Sequence, residues 1–308
     1  MGKSLRVAYA ESLVEAAETN DKIVCFDCDL ANATQTILFK QKFPDRFFDL
    51  GIAEANMMCI AASFASTGYI PFVSTFVIFG AGRAYEMIRN SICYENLNVK
   101  FGLTHAGLSV GEDGGSHQSI EDIALMRVLP NMTILCPVDE IEMKKAVNAA
   151  IKTNGPVYIR ASRPNQEIFT EENTPFVVGK ANVIKEGKDV TIITFGLMMN
   201  EVLKASEELL KNNISTTIIN MHTIKPIDKE IIKKYGNTSK LLLTVEEHSI
   251  IGGLGSAVAE VLAEENINVK FKRIGINDLF GQSGSPKELF EEYGLTSEHI
   301  IEEVKKNI

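Results

Sequence analysis

The stretch "DLGIAEANMM" (residues 49–58) carries a lone carboxylate at Glu54 in its second half, and then charge stops. From Ala55 to Gly82 there is no Asp, Glu, Lys, Arg or His, and the next charged residue is Arg83. An uncharged run of this length raises the possibility of a membrane span. Asn56, Ser63, Ser66, Thr67, Gly68, Pro71, Ser74 and Thr75 within it argue otherwise. "STGYIP" is a turn signal and "FVSTF" after it reads as a buried strand. The run therefore predicts a helix, a strand and a second helix inside a soluble core, covered on all sides, with an extensive interface between subunits.

Outward from this run, apolar segments and helical periods alternate. A helix over about 5–19 is followed by a strand at "KIVCFDC", a helix near 34–42 and a short strand at "RFFDL". After the helix from about 53 and the strand "IPFVS" come a helix through "GRAYEMIRNSICY", the strand "NVKFGLT", the strand "MTILCP", a helix near 139–152 and "GPVYIRAS". Alternation of this kind predicts an α/β fold, a mostly parallel sheet flanked by helices. A polar, proline-containing stretch at 162–176 reads as a linker, which sets the expected domains at 1–165 and 179–308 with the linker at 166–178. The second half repeats the pattern on a smaller scale, with strands at "DVTIITFG", "ISTTIINM", "KLLLTVEE" and "NVKFKRIG" and helices near 197–212, 228–235 and 253–265.

Composition narrows the function. Lys+Arg 31 against Asp+Glu 40 gives a formal charge of −9, and no basic-aromatic stripe is present, which argues against nucleic acid as a partner. The N-terminus meets charge at once and lacks a signal-peptide apolar core, so a cytoplasmic location is expected. Cysteines 25, 28, 59, 93 and 136 are too scattered for a disulfide framework. "CFDC" lies in a strand whose alternation separates its two thiols, so these read as structural. The glycines of "HSIIGGLGSAVAEVL" (248–262) fit a dinucleotide fingerprint poorly and read as a tight turn packing a helix on a sheet.

"THAGLSVGEDGGSHQSIEDIA" (104–124) concentrates chemistry: His105, His117, Glu112 and Asp113 among four glycines. It follows a buried strand and so falls at the carboxyl end, where open α/β sheets bind ligands. An active-site loop, a plain solvated loop and a zinc site are all compatible with these residues, although no tight His-Cys spacing favours zinc.

Taken together, "GIAEANM", "FVSTFVIFGAGRAYEMIRNS", "THAGLSVGEDGGSHQSIEDIALMRVLPNMTILCPVD" and "GPVYIRASRP" resemble the pyrimidine-binding domain of transketolase, and the likeness continues into that family's C-terminal domain. No "GDG", the family's diphosphate- and metal-binding signature, occurs in the chain. The resemblance implies the C-terminal subunit of a split transketolase, acting with a separate N-terminal subunit, in an α2β2 heterotetramer. It also implies thiamin diphosphate with Mg²⁺ (or Ca²⁺) held mainly by that partner, and sugar phosphates as substrates.

In the family, the glutamate matched by Glu54 hydrogen-bonds N1′ of the cofactor's aminopyrimidine. Apolar surroundings are expected to raise the pKa of such a carboxyl. Phe76 and Phe79 match the aromatics against which the pyrimidine packs; the third falls at Gly82, with Tyr85 a turn later. Asp29 matches an acidic residue near the cofactor. His105 and His117 match histidines at the reacting carbon and substrate hydroxyls, Asp113 the carboxylate that reads the sugar's C2 hydroxyl, and Arg163 an arginine that grips the sugar phosphate. A family serine in phosphate binding appears as Ala33, and a second family arginine aligns only loosely with Arg6, which is not carried over. A further catalytic histidine would come from the partner subunit.

Three other readings are separable. Deoxyxylulose phosphate synthase shares the loop but differs at the positions of His105 and Phe79. The β subunit of 2-oxoacid dehydrogenases has the same outline without the "GEDG..HQ" segment. A non-catalytic transketolase-like protein has no need to keep this set of residues.

Overall fold

The computed structural model describes residues 2–308. The chain forms two compact units: residues up to Ala106 with Leu125–Phe176, and Gly107–Ala124 with Val177–Ile308. Residues 107–124, which carry Asp113 and His117, thus pack with the second half of the chain.

The first unit contains β1 (Ile23–Asp27), β2 (Phe47–Asp49), β3 (Ile70–Ser74), β4 (Lys100–Leu103), β5 (Thr133–Leu135) and β6 (Val157–Arg160). They run parallel in the order β5-β6-β4-β3-β1-β2. β1, β4 and β6 are buried along their whole length, which is why they read as continuous apolar runs rather than alternating ones. Gly102 in β4 permits a close approach, since a Cβ there would overlap the Tyr9 ring. The one charge in β4, buried Lys100, donates from Nζ to the carbonyls of Thr153 and Gly155, both at 2.7 Å, at the end of the helix Glu140–Lys152.

The uncharged run resolves into the helix Glu54–Ser66, β3, and a π-helical segment Ile78–Arg83. A regular helix was expected through "GRAYEMIRNSICY". Instead a short α-turn, Tyr85–Met87, is flanked by π-helical turns at Ile78–Arg83 and Ile88–Cys93. Such turns widen the backbone and shift which side chains face a site. Among the described residues no helix is long and apolar enough to cross a membrane.

The second unit holds β7 (Asn182–Lys185), β8 (Val190–Thr194), β9 (Thr216–Asn220), β10 (Thr223–Lys225), β11 (Leu241–Ser249) and β12 (Lys270–Ile276). Its five-stranded sheet has the order β12-β11-β8-β9-β7, parallel except for β7, which runs antiparallel to β9. β7 and the terminal helices Pro286–Glu292 and Ser297–Asn307 were not anticipated. The glycine-rich turn does pack a helix on this sheet. The amides of Leu254 and Gly255 donate to the buried carboxylate of Glu246 at 2.7 and 2.8 Å, and a side chain at Gly255 would collide with Arg273 and Thr244. An acid already fills the place a dinucleotide's phosphates would take.

At the end of β1, the fully buried Asp27 accepts from the hydroxyls of Thr34 and Thr36 at 2.8 Å and from the amide of Leu30 at 2.7 Å. Burial outweighs these bonds and raises its pKa from 3.8 to about 6. A folded-state value above the unfolded one stabilises the protein below the unfolded pKa, and that contribution is lost as pH rises through the folded pKa. Stability attributable to Asp27 therefore falls between about pH 4 and pH 6, by up to ~3 kcal/mol. Urea unfolding of Asp27→Asn at those two pH values is expected to lack this slope; an unchanged slope would assign the proton elsewhere.

Candidate active site

In the first unit the residues singled out in the sequence cluster just beyond the carboxyl ends of strands. Asp29 lies beyond β1, Glu54 beyond β2, Phe76 and Phe79 beyond β3, His105 beyond β4 and Arg163 beyond β6. Strand order reverses between β1 and β3, the position at which open parallel sheets form a ligand crevice.

Glu54 begins its helix with only 1 % of its surface exposed. Its surroundings are not purely apolar, as the sequence reading supposed. Arg83, the residue that ends the uncharged run, donates from Nη1 to Glu54 Oε2 at 2.9 Å. The same guanidinium lies 4.7 Å from the centre of the Phe79 ring. Phe79 stacks on Phe76 at 5.9 Å and 11°, and Phe76 stacks on His105 at 3.8 Å and 23°. A continuous series of contacts thus joins Glu54, Arg83, Phe79, Phe76 and His105.

Backbone pairing sets this series. Phe76 and Thr104 form a parallel bridge past the ends of β3 and β4, with Val77 N–H donating to Thr104 O at 2.8 Å and Thr104 N–H to Thr75 O at 3.1 Å. The next residue, His105, turns into the left-handed region at φ 62°, an uncommon conformation for a side chain of this size. That turn lays the buried imidazole on Phe76, where Nδ1 meets Thr104 Oγ1 at 2.9 Å. Gly82 leaves room rather than supplying a third ring; a Cβ there would meet only Ile78 Cδ1, at 3.6 Å. One residue later, the guanidinium of Arg83 lies over the Phe79 ring. It is flat, carries N–H donors, and satisfies Glu54 and Phe79 together. Those are the two contacts a protonatable aminopyrimidine needs, so the residues present fit the thiamin ring.

Asp29 is exposed with φ 61°, and its amide donates to Asp49 Oδ1 at 2.9 Å. Arg6, set aside in the sequence reading, donates from Nη1 to the carbonyl of Ala33 at 2.8 Å, while its buried Nε has no hydrogen-bond partner. Burial first, and then the charge of Arg163, lower the Arg6 pKa. Two neighbouring guanidiniums, one with an unused buried donor, make a chemically apt anion site. Nothing in the sequence couples Arg6 to position 33, because the bond is to the backbone carbonyl and not to a side chain.

Asp113 and His117 belong to the second unit. Gly107 (φ 78°) and Gly111 (φ 86°) shape a 3₁₀ turn over Leu108–Asp113; Asp113 is exposed, and His117 Nδ1 lies 3.0 Å from Ser116 Oγ. The glycines do not leave this loop loose. Gln118 Nε2 donates to the carbonyls of Leu108, Gly111 and Gln282 at 3.3, 3.2 and 2.9 Å, and Ser283 Oγ donates to Glu112 O at 2.7 Å. Among the described residues no group of three or more His, Cys, Asp or Glu side chains could hold a metal ion.

Comparison with known proteins shows the family. Residues 2–167 match the transketolase pyrimidine-binding domain and residues 179–300 the transketolase C-terminal domain. A putative transketolase C-terminal section from Methanocaldococcus jannaschii is 48% identical over 99% of the chain and 97% of the relative. A 6-deoxy-6-sulfo-D-fructose transketolase subunit from a Clostridium species is 40% identical over 96% of the chain and 92% of its own length. A solved split-gene transketolase, described as an inactive β4 tetramer, superposes with a TM-score of 0.91 at 45% identity, covering 100% of the chain and 98% of that protein.

Removing the guanidinium from Glu54 leaves a buried carboxylate without its donor, so Arg83→Met is expected to cost about 1–3 kcal/mol of stability. In a Glu54→Gln background the same change is expected to cost much less. Urea unfolding of the four proteins of this cycle measures the coupling; equal costs in both backgrounds would mean that the pair contributes nothing.

Proposed function

Because the chain belongs to the transketolase family, we propose that it is the C-terminal subunit of a split, thiamin diphosphate-dependent transketolase that passes a two-carbon ketol unit from a ketose phosphate to an aldose phosphate. The observation that carries this reading is the contact series from buried Glu54 through Arg83, Phe79 and Phe76 to His105. In this proposal residues 1–165 act as the pyrimidine-binding domain and residues 179–308 as the C-terminal domain, joined by 166–178. A separate N-terminal subunit supplies the diphosphate site, Mg²⁺ (or Ca²⁺) and a further catalytic histidine, in an α2β2 assembly. The β4 assembly of the 45% identical relative, described as inactive, supports the need for that partner.

When bound, thiamin diphosphate supplies the nucleophilic carbon and electron sink through which the ketol unit travels. The chain's own residues then have separate tasks. Glu54, with Oε2 taken by Arg83, offers its other oxygen to the pyrimidine's ring nitrogen and holds a proton there. Phe76 and Phe79 give the ring flat apolar walls, and Asp29 stands near the cofactor. His105 and His117 move protons at the substrate's hydroxyl and carbonyl oxygens, for which imidazole is suited near neutral pH. Asp113 accepts from the C2 hydroxyl. Arg163, joined by Arg6, grips the terminal anion of the sugar.

The test uses the chain mixed with its partner subunit, thiamin diphosphate and magnesium. Glu54→Ala is expected to abolish turnover of xylulose 5-phosphate with ribose 5-phosphate while leaving the circular dichroism of the fold intact; near-normal turnover would contradict its role. Arg163→Ala is expected to raise KM for phosphorylated sugars at least tenfold and to spare unphosphorylated ones, and an equal effect on both would reject the anion grip.

A further inference from the structure

The carboxyl end of β11 holds three consecutive ionisable side chains, Glu246, Glu247 and His248, exposed by only 0%, 2% and 0%. Burial of three such groups is unfavourable unless each is matched with partners. Glu246 serves the helix Leu254–Glu264, as described above. The other two reach a different segment. Glu247 Oε1 accepts the amide of Ser109 at 2.5 Å. Gly107, with φ 78° and no Cβ, lets the loop pass against that carboxyl, which any side chain at 107 would overlap.

His248 Nδ1 lies 2.7 Å from the carbonyl of Ser249, so the ring proton is on Nδ1. Nε2 is then an acceptor, and it receives the amides of Ile123 and Ala124 at 3.2 and 3.4 Å. Glu246 Oε2, 3.8 Å from Nδ1, favours the same tautomer. The amide of Ser249 donates to Ile120 O at 2.7 Å. In a regular strand Glu247 and His248 would point to opposite faces. The pairing of β11 with β12 shifts register between Val245 and Ser249, and an irregularity of this type re-aims side chains. One strand end therefore grips both ends of the loop, Ser109 at the front and Ile120, Ile123 and Ala124 at the back. Asp113 and His117 lie between the two grips.

We infer that Glu247 and His248 are positioning residues for substrate recognition: they fix the loop that presents Asp113 and His117 to the sugar, Asp113 to the C2 hydroxyl of the aldose acceptor, without touching sugar or cofactor themselves. The C-terminal domain thereby acquires a task in the reaction. This rests on the reading that Asp113 and His117 meet the sugar substrate, and the experiment separates the two ideas.

In the complex with the partner subunit, Glu247→Ala is expected to raise the KM for the aldose acceptor at least tenfold, with a smaller change in kcat and an unaltered Kd for thiamin diphosphate. Glu247→Gln, which keeps an acceptor of the same size, is expected to restore KM to within about threefold. Hydrogen exchange of the 107–124 amides is expected to quicken at least tenfold in Glu247→Ala and in His248→Leu, while exchange in β8 and β9 stays protected and shows that the unit remains folded. Asp113→Ala is the control for the underlying reading. If it leaves the acceptor KM unchanged, that reading fails, whatever the loop exchange does. If Asp113→Ala raises KM but Glu247→Ala does not, or if loop exchange is unaltered by Glu247→Ala, the positioning role is overturned.

Discussion

A carboxylate sealed inside apolar protein and met by one guanidinium sets the terms for the rest of the first unit. Glu54 has lost almost all contact with water, yet the helix behind it offers no charge for the length of the uncharged run. Arg83 has to come from the far end of that run to meet it. Reaching back requires the chain to pass through a strand and then turn in a widened π-helical segment, and Ile78–Arg83 does this. The same turn places Phe79 under the guanidinium. One electrostatic requirement thus fixes the position of an aromatic wall.

The second constraint is the parallel register of β3 and β4. Their pairing extends to Phe76 and Thr104, and the next residue, His105, turns left-handed onto the Phe76 ring. Sheet pairing holds a conformation that would be unfavourable in isolation. Loop residues gain definition in this way without a long chain of side-chain bonds: the sheet delivers them at fixed points just past its edge.

Much of this was legible in the sequence because burial on both faces leaves long apolar strands, and turn residues punctuate them. The strands around "KIVCFDC", "IPFVS", "DVTIITFG" and "KLLLTVEE" and the helices between them follow directly. What stayed hidden has a common cause, namely pairing across long sequence separations. Arg83 was visible as the end of the uncharged run, but nothing local tied it to Glu54. The packing of 107–124 with the second half depends on Glu247, His248 and Gln282, over 100 residues away. The π-helical turns keep the composition of an ordinary helix, so periodicity could not distinguish them. Arg6 aligns only loosely with a family arginine, and its bond to the carbonyl of Ala33 is one that residue identity does not reveal.

Burial alone does not distinguish Glu54 from the other buried acids of the chain; counting their donors does. Asp27 is held by two hydroxyls and an amide, all fixed by the fold. Asp139 accepts the amides of Glu142, Phe169 and Thr170 together with the Thr170 hydroxyl. Glu246 spends both oxygens on the amides at the start of a helix. Each of these carboxylates has its lone pairs engaged by groups that cannot leave without unfolding their segment. Glu54 is as deeply buried, yet among the described residues its hydrogen bond comes from a single half-exposed side chain that can rotate away, and one oxygen is left over. A fold that only needed to neutralise this acid would have closed it with backbone amides, as it does at Glu246. Glu54 thus keeps one oxygen beside two stacked aromatic rings, the opening that the proposed cofactor contact requires.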